Sequence, residues 1–111
     1  MTAPPFNLET ALGWFSLTVV DERRIIATAP ARGIALLMMG GDQLSIRVEL
    51  QPDHDGVWRP LRPADVLVIR RVRGVQRDSE PDQRLHQMII DALSAAVTAW
   101  AAHEQGFVRA R

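Results

Sequence analysis

Cysteine is absent from the 111 residues, which removes disulfide frameworks, thiolate nucleophiles and cysteine-based zinc sites. Lysine is absent too, since the 13 basic residues are all arginine. Schiff-base chemistry and a phosphate-loop lysine are thereby excluded. There is no tyrosine, so a catalytic site would have to use Asp, Glu, His, Ser, Thr and Arg. Net charge is zero, which argues against binding nucleic acid or membranes through the overall field. No run of apolar residues approaches membrane-spanning length. Met1 to Asn7 lacks the charged-then-apolar pattern of a secretory signal. The expectation is a cytoplasmic protein without a membrane partner and without cofactor or metal. An all-arginine basic set with abundant alanine is the composition of a GC-rich bacterial or phage genome.

What is present suffices for one packed domain over 1–111. At 47% hydrophobic and 23% charged residues, the chain has material for a core and too little charge imbalance for disorder. Pro4 and Pro5 stiffen a flexible leader over 1–6. Asn7 reads as the cap of a short helical turn through Leu12, ended by Gly13. A sheet is expected over 14–73. Trp14 to Val20 puts Phe15, Leu17 and Val19 on one face, and Asp21-Glu22-Arg23 turns into a strand over Arg24 to Ala29. Ile34 to Met39 is an unbroken apolar run, and Gly40-Gly41-Asp42 reads as a hairpin joining it to Gln43–Leu50. There Leu44, Ile46, Val48 and Leu50 alternate with Ser45, Arg47 and Glu49. Gln51 to Gly56 is a polar loop, Val57 to Leu61 a short strand broken by Pro60, Asp65 to Arg73 a strong strand, and Gly74 to Asp78 a connector.

The last element is a helix over 79–105, with Ser79 as N-cap, Pro81 in the first turn and Gly106 as terminator. Gln87, Asp91, Ser94, Thr98 and Gln105 project onto one polar stripe. The remaining arc is about twice the ~100° that a surface helix buries. Such a helix is ~39 Å long, against ~25 Å for a strand of seven or eight residues. The flank with Ile90, Val97 and Ala101 therefore calls for a further cover, from an N-terminal segment or a second protein chain, most simply a second copy.

The fold class is α+β: an antiparallel meander of five to six strands with one long C-terminal helix packed on the sheet. The same element order fits a pleckstrin-homology-like barrel by fold-level analogy.

Candidate sites are few. Asp53-His54-Asp55 is three metal-ligating residue types in one loop, but neighbouring side chains diverge, so a solvated turn is the reading. His86 and His103 are too far apart for the i, i+4 pairing of metal sites; His103 reads as a cation capping the end of the helix. Residues 59–77 hold six arginines and one acid, Asp65. Arg70, Arg71, Arg73 and Arg77 form a phosphate or nucleic-acid patch, unless the cluster pairs internally with Glu49, Asp21 and Glu22. Trp58-Arg59-Pro60-Leu61-Arg62-Pro63 presents Trp and Arg, the residues enriched in binding hot spots, on a proline-stiffened segment. No residue is assigned a catalytic role, because serines and carboxylates stand without elbow or paired spacing.

The function expected is a non-enzymatic protein-interaction module, such as an adaptor, chaperone-like protein or phage- or plasmid-encoded inhibitor. It would be homodimeric through its helix and bind partners through Trp58, Arg59, Arg62, Ile90, Val97, Trp100 and Ala101. The alternative is nucleic-acid or phosphate-ligand binding through 59–77, and a third reading is a small hydrolase or isomerase using His54.

Overall fold

The computed structural model describes residues 4–29, 43–72, 75–79 and 83–109. Six antiparallel strands form a half-barrel meander: β1 (Phe6–Thr10), β2 (Gly13–Asp21), β3 (Arg24–Ala29), β4 (Gln43–Pro52), β6 (Val66–Val72) and β7 (Val75–Ser79). The two-residue β5 (Trp58–Arg59) pairs with the end of β4. Helix α1 (Gln83–Arg109) completes the α+β architecture. The arc stays open, because among the described residues β1 pairs only with β2 and β7 only with β6.

Period-two alternation decides which face is covered. Cross-strand register lines up Phe6, Leu17, Ala27, Val48 and Val66 in one row. A second row joins Ala29, Ile46 and Val68, and a third Ile25 and Leu50. Apart from the half-buried Phe6, these side chains are buried, and with Leu85, Ile89, Leu93, Val97 and Ala101 of α1 they form one core.

Several expectations are corrected. Residues Phe6–Thr10 are a strand and not a helical turn, so the leader ends before Phe6. Six residues between a proline pair and a glycine cannot sustain an isolated helix, whereas Phe6 and Leu8 alternate with exposed Asn7 and Glu9 and pack on the core. Gly13 does close the segment, at φ +110°, but as the end of a tight turn. Here Thr10 Oγ1 accepts from Leu12 N at 3.1 Å and donates to the Gly13 carbonyl at 2.8 Å.

Gly74 and the expected strand and hairpin turn at 34–42 lie outside the described residues. β4 itself pairs with β3 over Ile46–Leu50 and with β6 over Gln43–Val48. Of the connector expected over Gly74–Asp78, Val75–Asp78 together with Ser79 form β7, an edge strand among the described residues. Ser79 is the last residue of β7, opposite Val68; residues 80–82, with Pro81, lie outside the described residues, and the helix runs from Gln83 past Gly106 to Arg109.

Candidate functional site

Helix α1 is held between two ends of the sheet, with its nearest backbone neighbours in β1 and β5. At the β5 end Trp58 is 2% exposed, and its N–H donates to Thr98 Oγ1 at 2.9 Å. At the β1 end the Phe6 ring lies 5.0 Å from that of Trp100, tilted by 35°. The chain thus supplies its own cover for the flank that the sequence left open. Val97 is fully buried and Ala101 is 3% exposed; Ile90 and Trp100 are half-buried against the core.

Most of the partner residues expected from sequence are therefore inside the molecule. Trp58, Val97 and Ala101 are core, and Arg59 and Arg62 are engaged locally. Arg59 Nη2 sits 2.9 Å from Asp53 Oδ2, and Arg62 Nη2 sits 3.5 Å from Asp65 Oδ1. Two of the three carboxylates named for the arginine cluster have partners of their own. Glu49 pairs with Arg24, and Asp21 Oδ1 accepts from Arg23 N in the turn. Of the patch itself, Arg73 lies outside the described residues; in backbone register Arg70 is opposite Leu44 and Arg77, and Arg71 opposite Gln43 and Gln76.

The polar stripe read from the helix is exposed at one end and half-buried further on, with Gln105 outside the residues whose side chains are described. Gln87 and Asp91 are exposed, but Ser94 and Thr98 are half-buried, Thr98 as the acceptor for Trp58. The exposed surface carries Met88, 42% exposed, with exposed Ala95, Ala99 and Ala102. The excess apolar flank exists, then, on the other side of the helix from the one expected. It borders a groove of about 600 Å³ between the β1–β2 turn and α1, walled by Ala11, Leu12, Met88, Ala92, Ala95 and Ala96. Glu9 and Asp91 stand in its lining, and Asp91 Oδ1 accepts from Gln87 Nε2 at 2.7 Å.

A second cleft, about 750 Å³, lies at the opposite end among the Glu22-Arg23 turn, the 52–56 loop, Trp58 and the Ala101-Ala102 turn of the helix. The ligand atoms of Asp53, His54 and Asp55 fall within 4.8 Å of one another. Asp53 is already committed to the loop: Oδ1 accepts from Asp55 N at 2.8 Å and Val57 N at 3.0 Å, while Oδ2 faces Arg59. The Val57 hydrogen bond holds its carboxyl below the ordinary aspartate range, against the opposing pull of desolvation. His54 is 90% exposed beside Asp55 at 3.4 Å, so it is a solvated side chain without a held orientation. His103 is exposed and sits well before the end of the helix, so it does not cap it. His86 is half-buried, with Nε2 buried and unpartnered.

Sequence reasoning missed the contribution of Phe6, Leu8 and Leu12. The available signal was the Phe6-x-Leu8 alternation. No helix among the described residues is long and apolar enough to cross a membrane. Neither family models, nor curated proteins, nor solved structures give a match to this chain.

Proposed function

We propose that this chain is a non-enzymatic protein-binding module whose docking surface is the apolar groove between the β1–β2 turn and α1. The observation that carries the reading is the exposed flank of Met88 and Ala95 beside Ala92, Ala96, Ala11 and Leu12. A helix that had finished its packing would turn charged residues to this side. Here the helix wall is Met88 and three alanines, with Asp91 its one charged side chain. Contiguous apolar concavities of this kind mark contact sites. A second copy is no longer required to cover the helix, because β1 and Trp58 do so. A photo-crosslinking residue placed at Ala95 should give a discrete protein adduct in the native host, while one at Arg47 on the opposite sheet face should not. Equal labelling at both positions, or none at Ala95, would refute the groove.

A second reading has its own support. Two arginines in register on neighbouring strands, Arg70 and Arg77, have no acid among their cross-strand backbone partners. Like charges so placed are unfavourable unless an anion joins them, which suits a phosphate ligand. An oligonucleotide titration decides it: log affinity should fall by ~0.9 per phosphate contact for each log unit of salt. A flat salt response would remove this reading.

A further inference from the structure

We propose that the groove takes an extended segment of a partner protein, carrying arginine or lysine between small apolar residues, laid along the free edge of β1. This rests on the binding-module reading and names its occupant.

Three features specify that occupant. The first is the edge. Among the described residues β1 pairs with β2 alone, so one row of its N–H and C=O groups is open to a further strand. The second is the wall. Ala92, Ala95 and Ala96 carry only methyl groups toward the groove, leaving room for the side chains that an added strand would turn to the helix. Phe6 lies at Trp100 while Leu12 shares the groove with Met88 and Asp91, so β1 and α1 run alongside in opposite directions. Met88 to Ala96 rises ~12 Å at ~1.5 Å per residue, the length of about four strand residues at ~3.3 Å each. A short extended segment therefore fills the site.

The third feature is charge. Both ionisable residues of the lining, Glu9 and Asp91, are acidic and exposed, and neither is ion-paired with a cation among the described residues. Successive side chains of an added strand point to opposite faces, so one is turned to Asp91 on the helix and its neighbour lies beside Glu9 on the outer face of β1. Basic residues are favoured at both places and acidic ones repelled. The complementary ligand is a cationic strand; an uncharged helix would leave both carboxylates and the β1 edge unused.

The test is selection of a displayed library of random decapeptides on the full chain, followed by anisotropy titration of the synthetic winners. Selected peptides should carry Arg or Lys and should protect the Asn7–Glu9 amides from hydrogen exchange. Affinity should drop on the order of tenfold in the Glu9→Lys/Asp91→Lys double variant and vanish in Ala95→Trp, which fills the groove. All three positions are exposed, and circular dichroism checks that the variants fold. Neutral or acidic winners that still lose binding in Ala95→Trp would overturn the cationic occupant and leave the docking groove standing. Basic winners that give β1 no protection would overturn strand addition. Winners indifferent to Ala95→Trp, or no winners, would overturn the occupant and the groove together.

Discussion

Asp53 organises its loop with one carboxylate. It accepts two backbone N–H groups and faces a guanidinium, while its own N–H donates to the Val57 carbonyl at 3.0 Å. Since its folded pKa is depressed, the stabilisation is complete above the unfolded value of about 3.9 and is lost as pH falls through the folded value. The urea midpoint of the wild type should therefore fall more steeply below about pH 4 than that of Asp53→Asn. Parallel acid limbs for the two proteins would show that the charge contributes nothing. Gly13 is the second residue with a checkable role. Its φ of +110° is disfavoured for L-residues, and an added Cβ would meet nothing within 4 Å. Gly13→Ala should then cost about 1–2 kcal/mol, all of it conformational, read as a drop in urea midpoint without a change in slope. At this scale the sequence was legible where a residue's duty is local. Asp53-His54-Asp55 is a turn as read, though its side chains converge where divergence was expected. Gly13 holds a turn as its type suggests, though between two strands and not at the end of a helical turn. The sequence was illegible at Thr98, whose hydroxyl is spent on Trp58 forty residues away, a duty that polarity alone reports as solvent contact.

Elements paired along both edges were the readable ones. β3 matches its expected span, and β2, β4 and β6 match closely, because a buried row forces strict alternation on each of them. β7 was missed because Val75-Gln76-Arg77-Asp78-Ser79 has one apolar residue, and an edge strand next to β6 needs little more. β1 was missed because five residues carry too short a pattern to outvote Asn7 and Gly13 read as caps. The helix was found, but its outer flank was assigned to the wrong side; that choice depends on where β1 lies, a fact of tertiary structure. The two flanks predict opposite behaviour under mutation. Leu93→Ala, at a fully buried position, should cost about 2–5 kcal/mol. Ala95→Arg, two residues on and exposed, should shift stability by less than about 0.5 kcal/mol while abolishing partner adducts. A large thermal shift in Ala95→Arg would mean that this flank is packed and not open.

For the whole molecule, the sheathing of α1 by its own chain sets the expected state in solution. Light scattering at micromolar concentration should give the 12.4 kDa of a single chain; a doubled mass would mean that the groove or an open sheet edge is met by a second copy. The candidate site was only half legible from sequence. The excess of apolar helix surface is a matter of counting residues, but its location is a matter of assembly. The contact between Phe6 and Trp100 joins nearly the whole length of the chain, and contacts of such separation make folding slow. On the ribosome the consequence is sharper. The first strand emerges long before the segment that must lie across it, so the growing sheet keeps its greasy face uncovered until Gln83–Arg109 has been translated. A stalled or shortened product would be recognised as misfolded however sound its strands.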